Sequence, residues 1–306
     1  MNVATREAYG KALIKLGEIN KDVVVMDADL AKSTKSIEFT KSAPERFFDM
    51  GIAEQDMIGT AAGLAVSGKT VFASTFAMFA TGRAFEQIRN SVAYPNLNVK
   101  IAATHAGLTV GEDGATHQAI EDISLMRSIP NMVVINPSDA VETEQAIFAA
   151  VEHQGPVYIR LGRMAVPIVH DENYKFQIGK GEVLRNGKYA TIIATGIMVS
   201  VALEAAEELK KQGIEVNVVN MPSIKPIDKE LIVKVAEETG KIVTVEEHSV
   251  IGGLGSAVAE VLVQEYPTKV KMVGVKDKFG HSGTPAELLE HYGLTAKDVV
   301  NAVKTV

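Results

Sequence analysis

Short runs rich in Val and Ile recur along this 306-residue chain, separated by longer stretches whose apolar residues fall at helical spacing. A strand covered on both faces needs apolar side chains at successive positions, so the alternation describes βα units on a parallel sheet. Strands are expected at Asp22–Met26, Thr70–Ala73, Val99–Thr104, Met132–Ile135 and Val157–Arg160, and again at Thr191–Ala194, Val216–Val219, Lys241–Val245 and Val270–Val275. Helices are expected at Glu54–Val66, Ser200–Gln212, Asp228–Glu238, Gly255–Tyr266 and Pro285–Tyr292, and Met1 to Ile19 reads as an amphipathic helix. The helix at Glu54–Val66 carries Gly59, Ala61, Ala62, Gly63 and Ala65, small residues that let another backbone approach. From Leu161 to Lys188 the periodicity fails, and Pro167, Gly179, Gly181 and Gly187 punctuate a polar stretch. The reading is an α/β protein of two doubly wound domains, residues 1–165 and 189–306, joined by a linker over 166–188.

Composition narrows the function. With 46% hydrophobic and 23% charged residues and no apolar run near the roughly 20 residues of a membrane helix, a membrane role is not expected. A formal charge of −7 without a Lys/Arg run repels a nucleic-acid backbone, so an anionic ligand has to be caught by a few placed cations. The absence of cysteine excludes disulfides, thiolate metal sites and a cysteine nucleophile, and fits a cytoplasmic location.

Four segments carry polar residues where chemistry is done on such sheets, beyond strand C-terminal ends. THAGLTVGEDGATHQ, Thr104 to Gln118, puts two histidines and two acids on a loop with Gly107, Gly111 and Gly114; read alone, it is a turn-rich solvated loop, and its spacing identifies no metal and no nucleophile. DMGIAEQ delivers Glu54 to the first turn of a helix, where the dipole favours its charged form. STFAMF places Phe76 and Phe79 three apart on one helical face, a spacing usual for core packing. Arg6, His105, Arg160 and Arg163 are each ordinary surface charges in isolation, but together after strand ends they suit a phosphate clamp. In EEHSVIGGLGSAVAE, Gly252, Gly253 and Gly255 precede a helix without a dinucleotide spacing, and a tight packing turn is the reading there, as it is for His248 and His281.

The order of these motifs resembles the C-terminal half of transketolase over nearly the entire chain. The matching stretches are ATREA at Ala4 to Ala8, DADLAKS at Asp27 to Ser33, GIAEQ at Gly51 to Gln55, STFAMF, the THAG…GEDGATHQ loop, SIPNM at Ser128 to Met132, and Gly162–Arg163. The resemblance implies a pyrimidine-binding domain followed by a transketolase C-terminal domain, with thiamine diphosphate as cofactor. It implies that Glu54 hydrogen-bonds the aminopyrimidine N1′ and so drives the proton shifts that activate the thiazolium carbon, in an apolar setting beside Phe76 and Phe79. The family's third aromatic, three positions on, is here Gly82. By the same carry-over Asp113 and His117 contact the donor sugar near the bond that breaks, and Asp29 lies on the cofactor side of the substrate channel. Arg6, Ser33, His105 and Arg163 grip the sugar's terminal phosphate.

The family's diphosphate-binding domain, with a GDG segment and a later Asn for Mg2+, has no counterpart here, GEDG belonging to the substrate loop. The resemblance therefore implies a separate N-terminal subunit by which Mg2+ is mainly bound, and an α2β2 assembly acting on sugar phosphates. A deoxyxylulose-phosphate synthase carries DRAG and GADG where this chain has THAG and GEDG; the β subunit of a 2-oxo-acid dehydrogenase lacks the phosphate-binding series. A non-catalytic partner subunit is the reading outside enzymes, against which Glu54, Asp113 and His117 stand together.

Overall fold

The computed structural model describes residues 2–306. Its first domain is built on a seven-stranded sheet in the order Ser223–Lys225, Val133–Ile135, Val157–Arg160, Val99–Thr104, Thr70–Phe76, Val23–Asp27 and Phe47–Asp49. All neighbours are parallel except Ser223–Lys225, which pairs antiparallel with Val133–Ile135. Successive residues of the inner strands point to opposite faces, and both faces are covered. Val23, Val25, Phe72, Ala102 and Ile159 pack with Tyr9, Leu13 and Leu16 of the helix Thr5–Ile19 and with Ala146 and Ile147 of Ala140–Glu152. Val24, Met26, Ala73, Ile101 and Ala103 pack on the other face with Met57, Ile58 and Ala61 of the helix Glu54–Val66. Continuous Val/Ile runs in the sequence are the consequence of this double burial.

The second domain repeats the plan on five strands, ordered Lys269–Val275, Lys241–Ser249, Thr191–Ala194, Asn217–Asn220 and an antiparallel edge, Glu182–Arg185. One face packs against the helices Met198–Lys210 and Ala296–Thr305. The other carries Lys229–Thr239 and Leu254–Glu265, and its apolar residues run without interruption into the core of the first domain. The two domains therefore share one apolar seam. Helix ends are closed locally: Asp139 accepts from the Glu142 amide at 2.8 Å, and Thr284 and Glu287 form a reciprocal capping box.

Three departures from the sequence reading have simple causes. The N-terminal helix starts at Thr5, because Asn2–Ala4 instead pairs as a short strand with Ala165–Pro167; Met1 lies outside the described residues. The stretch over 166–188 is structured, with Glu182–Arg185 joining the second sheet and Phe176 and Ile178 packing on the first core. Ser223–Lys225 crosses from the second domain to the edge of the first sheet. Strands of three or four residues at a sheet edge bury too few side chains to leave a period.

Candidate active site

Parallel strands bring their C-terminal ends to a single edge of the sheet, and the residues singled out above gather there. Asp27 ends its strand buried and accepts hydrogen bonds from the Leu30 amide, Thr34 and Ser36, each at 2.7 Å, pegging the turn that holds Asp29 and Ser33. Burial pushes the Asp27 carboxyl up to about 6, against the pull of those donors. Thr5 accepts from the Gly162 amide at 2.7 Å, which ties the first helix to the strand end carrying Arg163. Arg6 and Arg163 are thereby neighbours.

Glu54 is the first residue of its helix and only 3% exposed. The apolar setting expected for it is not what the chain provides: Arg83 donates to its Oε1 at 2.9 Å. The Arg83 side chain, 50% exposed, lies with its guanidinium carbon 4.2 Å from the Phe79 ring centre, and its carbonyl accepts from Gln55 at 3.0 Å. Around Gly82 a β-carbon would meet only the Met78 sulfur, at 3.6 Å.

Phe76 is the last residue of its strand and Phe79 opens a π-helical turn, Phe79–Arg83, so the pair spans a strand-to-helix junction and not one helical face. The rings stack all the same, 5.8 Å apart at 17°. His105 lies flat on Phe76 at 3.8 Å, and His117 meets Phe79 edge-on at 5.3 Å.

His105 has a left-handed backbone, φ 56°, directly after its strand. Arg6 donates to its Nε2 at 3.2 Å, so its proton sits on Nδ1, facing Thr104 Oγ1 at 2.9 Å. Burial, then the positive charges of Arg6 and Arg163, hold the imidazole down to about 3. His105 therefore belongs to the cluster as a neutral group and not as a cation. Arg160 leaves the expected clamp altogether. It is buried, 2.8 Å from Asp122, which also accepts from Tyr158 at 2.7 Å. The charge that remains is that of Arg6 and Arg163. Arg6 also donates to the Ser33 carbonyl at 2.8 Å, and its buried Nε has no acceptor among the described residues. Arg163 bonds the Val110 carbonyl and stands 3.5 Å from Glu112 and 3.9 Å from the exposed Asp113.

Glu54, Phe76, Phe79, His105, His117, Arg6, Ser33, Arg163 and Asp113 thus form one chain of neighbours, with Arg83 joining Glu54 to Phe79 and the Thr5–Gly162 tie setting Arg6 beside Arg163. Asp29 is not: it is exposed, in a left-handed conformation, with its amide bonded to Asp49 at 3.1 Å. Sequence reading missed Arg83, for which the signal was a buried acid in want of a counter-ion, and the acids Glu246 and Glu247, two charges inside an apolar strand. Glu246 accepts from the amides of Leu254 and Gly255 at 2.7 and 2.8 Å, so the glycine-led helix start is closed by its own chain. Among the described residues no group of three or more His, Asp or Glu could hold a metal ion, and no helix is long and apolar enough to cross a membrane.

Residues 1–169 match the family model for the transketolase pyrimidine binding domain, and residues 179–299 that for the transketolase C-terminal domain. The chain is 53% identical to the putative transketolase C-terminal section of Methanocaldococcus jannaschii, over 97% of this chain and 94% of that one. It is 44% identical to the 6-deoxy-6-sulfo-D-fructose transketolase subunit of a Clostridium species, over 98% and 94%. Among solved structures it is similar to a split gene transketolase described as an inactive β4 tetramer, at 61% identity and TM-score 0.93, over 99% and 98% of the two chains.

Proposed function

The chain belongs to the transketolase family, covering its pyrimidine-binding and C-terminal domains, and on that premise we propose that it is the C-terminal subunit of a split, thiamine-diphosphate-dependent transketolase. It transfers a two-carbon ketol unit from a ketose phosphate to an aldose phosphate, together with an N-terminal subunit that supplies the GDG…Asn site for Mg2+ and diphosphate. The names of its relatives, a C-terminal section and a subunit, support the partner, as does the inactivity stated for a β-only tetramer. An α2β2 assembly in the cytoplasm is part of this reading.

The observation that carries it is the buried Glu54, joined through Arg83 to the stacked Phe76 and Phe79, at one end of a cluster whose other end is Arg6 with its buried Nε left without an acceptor among the described residues. When bound, thiamine diphosphate supplies a nucleophilic carbon that breaks and re-forms the ketose carbon–carbon bond. Glu54 offers a carboxyl to the aminopyrimidine and holds the proton there; Phe76 and Phe79 give the ring a flat apolar wall and exclude water. His117 and Asp113 orient the donor's hydroxyls near the bond that breaks. Arg6 and Arg163, with neutral His105 and Ser33, take the terminal phosphate.

Mixing the chain with its N-terminal subunit, Mg2+ and thiamine diphosphate should give ketol transfer that neither chain gives alone. In the mixture Arg6→Ala should raise KM for phosphorylated donors far more than for the same sugar without phosphate. Full activity of this chain by itself overturns the split reading.

A further inference from the structure

Glu247 stands on the strand Lys241–Ser249 of the second domain, yet its side chain ends inside a loop of the first. Its Oε1 accepts the Thr109 amide at 2.6 Å. Gly107, at φ 83°, makes this approach possible, since a β-carbon there would lie 2.3 Å from the Glu247 carboxyl carbon. The Glu247 carbonyl in turn accepts Arg160 Nη2 at 3.0 Å, and Arg160 also bonds the Ala119 carbonyl at 3.3 Å. Both ends of the segment 107–119 are thus fastened to one strand. Between them, Gln118 donates to the carbonyls of Leu108, Gly111 and, across the domain boundary, His281. The carboxyl is buried, and that burial raises its pKa to about 7 despite Arg160.

Burying a carboxyl for one amide contact is unfavourable if packing alone were needed, because an apolar side chain fills space without desolvating a charge. What the carboxyl adds is direction: it fixes the turn Leu108–Val110, from which the chain runs through Asp113 to His117. We propose that Glu247 is a positioning residue for ketol transfer, holding the Thr109 turn so that Asp113 and His117 face the pocket of Phe76 and Phe79. The second domain then sets the geometry of the donor site and does more than close its rim. The proposal rests on the transketolase reading of the cluster.

The assembled enzyme tests it with Glu247→Gln, which keeps an acceptor, Glu247→Ala, and Glu247→Met, which keeps volume without an acceptor. Glu247→Gln should stay near wild-type turnover. The Ala and Met variants should lose about 10- to 100-fold in kcat/KM for the ketose donor, the scale of a catalytic group displaced by about 1 Å. Their affinity for thiamine diphosphate, read by circular-dichroism titration, should be unchanged, and amide exchange of the segment 107–118 should be faster. Wild-type kcat/KM or unchanged exchange in both variants overturns the proposal, as does a parallel loss of cofactor affinity. Faster exchange in the variants of an enzyme whose wild type transfers no ketol unit instead overturns the transketolase reading and leaves the loop anchor standing.

Discussion

Arg83 donates to the Glu54 carboxylate at 2.9 Å while its guanidinium lies 4.2 Å from the centre of the Phe79 ring. A flat, delocalised group that gives an N–H to Glu54 and a face to Phe79 makes the demands an aminopyrimidine would make of the same two residues. On the proposed function, the arginine has to leave when the cofactor enters. Its ion pair, half exposed, contributes about 1 kcal/mol at most, and the ring contact about 0.5–1 kcal/mol. Arg83→Ala in the assembled enzyme is therefore expected to bind thiamine diphosphate about tenfold more tightly. Equal or weaker binding in a cofactor titration means that the guanidinium does not stand where the ring goes.

Glu54→Ala should abolish ketol transfer while the chain stays folded and assembled. The side chain's one ion pair is to a half-exposed partner, and alanine is a better helix former than glutamate, so the melting temperature should move by no more than about 3 °C. Activity within tenfold of wild type removes Glu54 from the reaction.

The sequence shows the strands Val99–Thr104 and Val157–Arg160 and the helix Glu54–Val66 at their observed limits, because burial on both faces, or a small-residue face, writes itself into consecutive residues. The pairing of Asn2–Ala4 with Ala165–Pro167 was not legible: three residues at an edge carry no period, and their partner lies far along the chain. The site divides the same way. Membership of Glu54, Phe76 and Phe79 came from ordered motifs, whereas the neutrality of His105 and the diversion of Arg160 depend on who is nearby in three dimensions. Spacing counts a histidine and an arginine as cations; burial and a counter-ion decide whether they act as such.

Arg160 has a structural task in place of the binding role first expected. It and Asp122 are both buried, Tyr158 donates to the same carboxylate oxygen, and Arg160 reaches two carbonyls on opposite sides of the domain boundary. Arg160→Met leaves Asp122 without its cation in a site that water does not reach. The expected cost is about 3–5 kcal/mol, read as a lower urea midpoint at unchanged slope. A change below about 1 kcal/mol would show the pair to be dispensable for stability.

Glu247 also makes a prediction about pH that needs no partner chain. Burial raises its carboxyl to about 7, above the ordinary value near 4.5, so the folded chain binds this proton more tightly than the unfolded chain does. The stabilisation that follows is complete below about pH 4.5 and is lost as pH rises through about 7, at no more than about 1.4 kcal/mol per pH unit. Glu246, also raised by burial to about 7, acts in the same direction, while His248, lowered by burial to about 4, acts against them below its usual value. The wild-type profile sums these opposed slopes and is uninformative about any one group. The difference between Glu247→Gln and wild type isolates one: melting temperatures compared from pH 4.5 to 8 should show the variant gaining on the wild type up to about pH 7, with the difference constant above it. A difference that does not vary with pH would mean that Glu247 is ionised throughout, with Arg160 compensating its burial in full.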